Sequence, residues 1–283
     1  MRILNAFHRE VPVQALCLYR ALLGTVLFCE TLSWLPHTTE LFSSMGFHIP
    51  NLPGTPEPFP ALALFLGIAL VLGALAVALG FFARVAAALL LFLLTYVYCL
   101  DSLNEKTAQT ISILALAILV FTPCGARFSL DHWLRKRAGK GELPEMTSIF
   151  AQRLLQIEFA QIYFFSGIAK MTNPEWVNGS VFYRVLNGRL ATPVGIYLSS
   201  LDPDLLARAG GLGTILFELF QGLFLFLPFV RPFAIGAGLL FHTGIQSTLL
   251  IGSLGAHFVI ALLLLFPEPE TVKRIVAKAL PSS

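Results

Sequence analysis

The sequence predicts an all-α integral membrane protein, a bundle of about eight transmembrane helices. Of its 283 residues, 56% are hydrophobic and only 12% are charged, and the mean hydropathy is +0.77. These values lie outside the usual range of soluble domains. The residues before the first apolar run are polar and charged, without the compact basic-then-apolar form of a cleaved signal peptide. We therefore expect that first run to remain as a transmembrane helix.

The spans follow from the lengths of the apolar runs. A hydrocarbon core of about 30 Å needs roughly 20 apolar residues in a helix. Short turns at GFFAR and IGSLG separate two pairs of runs, so each pair is predicted to form a tight helical hairpin. The predicted spans are residues 13–34, 61–82, 84–101, 107–122, 150–171, 212–230, 232–250 and 254–267.

The distribution of basic residues predicts the orientation. With the N-terminus in the cytoplasm, twelve of the 19 Lys and Arg residues fall on the cytoplasmic side and four on the opposite side. This asymmetry places both termini in the cytoplasm. It also makes 123–149 a cytoplasmic loop, and 35–60 and 172–211 outer loops, the last with one short surface helix. We expect residues 1–283 to form a single transmembrane domain.

The fifth predicted helix holds the densest set of polar residues, and it is therefore expected to be central. At 100° per residue these side chains form two stripes, one of them ending at Lys170. The first stripe contains Arg153, Gln156, Tyr163, Gly167 and Lys170, and the second contains Glu158 and Gln161.

Depth within the membrane suggests partners for the buried ionisable groups. Arg20 and Glu158 fall at similar depths, which predicts a structural ion pair between the first and fifth helices. A proton path through the same residues is the alternative. Glu218 and His242 coincide near mid-membrane, where the histidine either packs through a hydrogen bond or orients a bound polar group.

Lys170 has two interpretations. A lysine at the end of a span commonly extends its ammonium group to the lipid headgroups. A lysine facing a dry cavity can instead act as a general base. The sequence contains no P-loop, GxSxG or HExxH motif and no Cys/His metal pattern. We accordingly predict no metal and no nucleic-acid partner, and we interpret the four cysteines as core residues, with a Cys29–Cys99 contact as the alternative.

The run QIEFAQIYFFSGIAKMTNPEWVNG resembles the signature helix of the vitamin K-dependent gamma-glutamyl carboxylase and its bacterial relatives, the horizontally transferred transmembrane (HTTM) family. The resemblance covers almost the whole chain and implies a multi-helix membrane bundle. Its further matches are Arg20, Gly24, Asn104, the FSLD turn at 128–131, Glu218, Arg231, Pro232 and the pair Phe241 and His242.

The resemblance implies a site and a chemistry. In the carboxylase, a lysine in the same YF-x-x-G-x-x-K context deprotonates reduced vitamin K, so Lys170 would be the catalytic base. The cofactor would be a reduced, vitamin K-like quinone. Its binding residues would be Tyr163, Gly167, Trp176, Glu218 and His242. The family's acidic-Trp-x-x-Gly pattern is present from Glu175, with one additional residue between Lys170 and Trp176.

Two functions follow from this resemblance. The first is a quinol-dependent, carboxylase-like lyase that acts at the outer face of a bacterial inner membrane. Its partners would be membrane lipids and a secreted peptide or protein. We expect the chain to lack the large C-terminal region with which the carboxylase binds its protein substrate. The alternative is therefore a non-catalytic membrane partner in secreted-peptide maturation or immunity. Oligomeric state is not specified by the sequence.

Overall fold

The structure, a computed structural model, describes residues 8–102, 107–201 and 203–279. Within them the chain is helical apart from loops and one short antiparallel ribbon, in which Glu10 faces Ser148. Asn104 and Lys106 lie outside the described residues. The helices are α1 (Gln14–Trp34), α2 (Thr38–Phe42), α3 (Pro60–Leu79), α4 (Ala83–Leu100), α5 (Thr107–Val120), α6 (Leu130–Arg137), α7 (Phe150–Met171), α8 (Pro174–Val177), α9 (Ser180–Leu186), α10 (Pro193–Leu201), α11 (Pro203–Phe224), α12 (Arg231–Thr248), α13 (Leu254–Leu264) and α14 (Pro269–Ala279); the strands are β1 (Glu10–Pro12) and β2 (Met146–Ser148).

Each predicted span overlaps one of these helices. Among the described residues, three segments are long and apolar enough to cross a membrane: Gln14–Phe42, Pro60–Leu79 and Ala83–Leu100. A fourth is added if α13 and α14, which are bent at the break between them, count as one span. The structure thus defines an all-helical protein with three or four candidate spans, and the eight crossings remain a prediction.

One loop prediction needs correction. The segment 172–211 contains three short helices, α8 to α10, and the beginning of α11, rather than one surface helix. The segment 35–60 begins with a 3₁₀ turn over Leu35–His37 and the short helix α2. Hydropathy misses such elements because a helix of one or two turns carries too few residues to show an apolar period.

The chain divides into two compact units. The first contains Met1–Leu155 and Glu268–Ser283, and the second contains Gln156–Pro267. In the first unit α1 packs along α3, and α3 and α4 form the predicted hairpin. Gly24 permits the close approach of α1, because a Cβ there would lie 2.4 Å from the Ala78 nitrogen.

A left-handed turn joins α3 to α4. Gly80 has a φ of 65° and Phe82 a φ of 45°, a conformation that is costly for a residue with a side chain. The carboxylate of Asp131 stabilises the turn by accepting from the Phe82 and Ala83 N–H groups, both at 2.8 Å. Asp131 belongs to the FSLD turn, so that motif has a structural role at the first turn of α4.

Arg20 is completely buried in the first unit. Its guanidinium donates to the Val77 and Ala78 carbonyls at the C-terminus of α3, at 2.8 and 2.6 Å. It also donates to the carbonyls of Cys124, Arg127 and Phe128 in the loop after α5. The cation therefore adds donors at the C-terminal end of α3, where the Val77 carbonyl also accepts from the Gly80 N–H at 3.1 Å.

The ion pair predicted between Arg20 and Glu158 remains a prediction. The partners of Arg20 are main-chain carbonyls of its own unit. Both carboxylate oxygens of Glu158 are buried and have no hydrogen-bond partner among the described residues. Main-chain carbonyls occur at every residue, so the positions of charged side chains in the sequence do not indicate these acceptors.

The four cysteines are free thiols. Cys17 and Cys124 are fully buried, in agreement with the interpretation as core residues, whereas Cys29 is exposed.

Candidate functional site

Helix α7 provides the site, and its polar stripe faces inward as predicted. Gln156, Tyr163 and Gly167 are buried, and Lys170 at the C-terminal end is half-buried. Gln156 anchors the helix by donating to the Leu265 carbonyl at 2.5 Å. The second stripe is divided, because Glu158 is buried and Gln161 is exposed.

Lys170 forms an ion pair with Glu218 of α11, with 2.6 Å between Nζ and Oε2. Nζ also donates to the Ser166 hydroxyl, one helical turn earlier. The side chains of Lys170 and Glu218 are 17% and 11% exposed, so the pair is largely but not completely excluded from solvent. Lys170 is therefore held inside the second unit and does not extend freely to lipid headgroups.

The indole ring of Trp176 lies 5.2 Å from Nζ of Lys170, within range of a cation–π interaction. Asn173 caps α8 by accepting from the Glu175 N–H, which fixes the turn that carries Trp176. The turn packs closely against Gly211 of α11, where a Cβ would lie only 2.6 Å from the Trp176 carbonyl oxygen. The additional residue between Lys170 and Trp176 does not prevent their contact.

An exposed ion pair flanks this turn. Arg184 of α9 donates to Glu175, with 2.5 Å between Nη2 and Oε2. The hydrogen bond and positive charge of Arg184 lower the pKa of the Glu175 carboxyl below its ordinary value. The pair links α8 to α9 outside the predicted spans.

A second polar pair lies further along the stripe. The Tyr163 hydroxyl and Nε2 of His242 are 2.6 Å apart, and both side chains are buried. Phe258 stacks on the imidazole ring, with centroids 4.3 Å apart, and Phe217 meets the edge of the Tyr163 ring. Phe217 precedes Glu218 in α11, so the aromatic cluster continues from this pair towards the ion pair.

The predicted cofactor residues therefore have different positions. Trp176 and Glu218 contact Lys170, whereas Tyr163 and His242 contact each other. Gly167 faces α11, because a Cβ there would lie 2.8 Å from the Leu219 nitrogen. Its role is to bring α7 and α11 together, which positions Glu218 next to Lys170.

Sequence reasoning missed the Lys170–Glu218 pair. The sixth span was predicted to begin at residue 212, but α11 begins at Pro203 and its first turns pack against α8 and α9. The sequence does contain a sign of this packing, the small residues Gly210 and Gly211. Phe182 packs closely against Gly210, and the main chain of Trp176 packs closely against Gly211. Such residues contribute little to hydropathy but permit close packing.

The fold and this site define an integral membrane helical protein with a partly enclosed lysine–glutamate pair beside an aromatic cluster. Among the described residues, no three His, Cys, Asp or Glu side chains are grouped so that they could hold a metal ion. The sequence matches the HTTM domain family over residues 8–270, nearly the whole chain. The protein belongs to that family and is related to the transmembrane region of the gamma-carboxylase. No solved structure matches the chain.

Proposed function

We propose that this protein is a quinol-dependent, carboxylase-like membrane enzyme in which Lys170 initiates proton transfer. The observation that carries the proposal is the Nζ–Oε2 distance of 2.6 Å between Lys170 and Glu218 in a partly enclosed site. Membership in a family related to the carboxylase supports it independently.

The ion pair suits a group that must alternate between two protonation states. A charged ammonium has no lone pair, so Lys170 can accept a proton only after it has lost one. Glu218 is at hydrogen-bond distance and can receive that proton. Ser166 holds Nζ in place as the charge moves. Lys170 is thus the proposed base, and Glu218 the proposed proton acceptor that activates it.

The residues present fit a reduced quinone at Lys170, and its headgroup would be held by Lys170, Glu218 and Trp176. The side chains of the ion pair are partly exposed, and the Trp176 ring offers a flat aromatic surface. When bound, a reduced quinone supplies an acidic hydroxyl group and the reducing equivalents for oxygen-dependent chemistry. Tyr163 and His242 are buried against each other, so we assign them a positioning role.

The test measures oxygen-dependent consumption of a reduced naphthoquinone by the purified protein. We expect Lys170→Met to lower the rate by about 10²-fold or more, the usual contribution of a general acid or base. Glu218→Gln should lower it while leaving binding of the oxidised quinone largely unchanged. Lys273→Met in α14 is the matched control. An unchanged rate in the Lys170 variant would refute the proposal.

We further propose eight membrane crossings, both termini in the cytoplasm, and a site in the outer half of a bacterial inner membrane. The excess of basic residues on the predicted cytoplasmic side supports this placement. Alkaline phosphatase fused after residue 188 should be active, and the same fusion after residue 140 inactive. The reverse pattern would exclude the proposed orientation.

A non-catalytic membrane partner in secreted-peptide maturation or immunity is the second proposed function. The observation in its favour is that Ser166, Glu218 and Trp176 all surround the Lys170 ammonium, as in a purely structural pair. Exchange of the two charges, Lys170→Glu with Glu218→Lys, separates the two functions. A structural pair would tolerate the exchange and retain partner binding, whereas catalysis would be lost.

A further inference from the structure

A groove with a cavity of about 550 Å³ lies beside the turn between α3 and α4, distant in sequence from the lysine site. Its walls belong to the first unit and come from the turn, the start of α4 and the segment 123–144. Phe81, Leu134 and Leu143 contribute apolar surface, while Arg84 and Arg135 contribute positive charge.

The two arginines retain donors for a ligand. Nε of Arg84 donates to the Thr122 carbonyl at 2.7 Å, but its terminal nitrogens bond to no described residue. Arg135 makes one long contact, 3.3 Å from Nη2 to the Gly141 carbonyl. Neither arginine forms a salt bridge within the described part of the chain, and both are exposed.

Asp131 also lines the groove, and its negative charge must be considered. Its two oxygens accept from the Phe82 and Ala83 N–H groups at the N-terminus of α4. The carboxylate is therefore engaged by the helix end, where the helix dipole favours negative charge. The groove therefore has two positive charges and one carboxylate that already accepts two hydrogen bonds, so its net charge favours binding of an anion.

An exposed apolar stripe leaves the groove along α4. It consists of Phe82, Val85, Leu89 and Phe92, each more than half exposed. Ten residues of helix span about 15 Å, half of a hydrocarbon core of about 30 Å. This length matches the acyl chains of one leaflet, and α4 is itself long and apolar enough to cross the membrane.

We propose that the groove binds an anionic phospholipid. Its phosphate group interacts with Arg84 and Arg135, and its acyl chains lie along the stripe from Phe82 to Phe92. Basic pockets beside transmembrane helices recognise anionic lipid headgroups in this way, and apolar surface next to the charges selects a lipid over a water-soluble phosphate. The segment 123–149 contains five Lys and Arg residues, and Arg84 adds a sixth. Basic segments of this kind attract anionic lipids of the cytoplasmic leaflet, so we place the bound lipid in that leaflet.

The experiment uses the full-length protein in detergent, with native mass spectrometry after addition of phosphatidylglycerol or phosphatidylcholine. We expect the wild type to retain phosphatidylglycerol preferentially. The double variant Arg84→Gln with Arg135→Gln should weaken lipid binding by roughly 25-fold, since each of the two basic residues near a membrane surface contributes about fivefold. The control variant Lys136→Gln with Lys140→Gln removes the same charge outside the groove lining and should retain the lipid.

Each other outcome opposes the proposal. Equal loss in the two double variants would indicate general attraction by the basic loop, and no loss in either would exclude the groove. Displacement of the lipid by inorganic phosphate at millimolar concentration would identify a phosphate site instead of a lipid site. Because Arg84 also bonds to Thr122, the single variant Arg135→Gln provides a test that leaves this structural contact intact; unchanged retention there would remove Arg135 from the site.

Discussion

Replacement of Arg20 by methionine tests the main structural inference, that one cation joins α3 to the loop after α5. Methionine keeps much of the length of the side chain and removes the donors. The carbonyls that accept from Arg20 would then be left in a buried region, since the arginine side chain is completely excluded from solvent.

The expected loss of stability in Arg20→Met follows from three short hydrogen bonds. The guanidinium lies 2.8, 2.6 and 2.5 Å from the carbonyl oxygens of Val77, Ala78 and Phe128. A hydrogen bond to a charged group contributes about 1.5–3 kcal/mol, and removal of one partner from a buried charged network costs about 3–5 kcal/mol in total. Since 1 kcal/mol lowers the midpoint by about 2–4 °C in a chain of this size, we expect a decrease of roughly 10 °C.

Two buried thiols provide the assay. Cys17 and Cys124 are fully buried, and the Cys124 carbonyl itself accepts from Arg20. In a background with serine at the other two cysteines, a thiol-reactive fluorophore reports unfolding on heating in detergent. Arg20→Lys should fall between the wild type and Arg20→Met, and the exposed Arg208→Met should match the wild type. A decrease below about 2 °C for Arg20→Met would refute the reasoning.

Two further predictions concern packing and pH. Gly24→Ala should destabilise the fold by about 1–3 kcal/mol, because the added Cβ would clash with Ala78. Gly236→Ala in α12 should stabilise the fold by about 0.5–1 kcal/mol, because a Cβ there meets nothing within 4 Å. Equal thermal midpoints of the two variants would contradict both expectations. Because Arg184 lowers the pKa of Glu175, their contact is fully present above the ordinary carboxyl pKa and is lost as the pH falls through the lowered value. The protection factors of the α8 amides, corrected for the intrinsic exchange rate at each pH, should thus decrease in acid for the wild type, and an equal decrease in Arg184→Ala would exclude this origin.

Hydropathy was sufficient to predict the long helices. The predicted span 150–171 coincides with Phe150–Met171, and the span 84–101 differs by one residue at each end from Ala83–Leu100. These segments are long apolar runs bounded by turn residues, so local pattern and final structure agree. The inward position of the stripe that ends at Lys170 was predictable for the same reason.

The hydrogen-bond and ion-pair partners of the buried side chains were less predictable than the helices. The acceptors of Arg20 are main-chain carbonyls, which every residue carries, so side-chain chemistry could not select them. Glu218 was assigned to the pocket, but its pairing with Lys170 accompanies the close approach of α7 and α11 at Gly167, and α11 begins earlier than predicted, at Pro203. Both are properties of packing between helices, which the periodicity of one helix does not contain.

The two inward cations also differ in a way that separates fold from function. Arg20 is fully buried and donates to main-chain carbonyls, which do not titrate. Lys170 is partly exposed and bonded to a carboxylate on another helix. The proposed function has a proton move between that amine and that carboxylate. The chemistry of the protein is therefore best sought at Lys170, while Arg20 joins the end of α3 to the loop after α5.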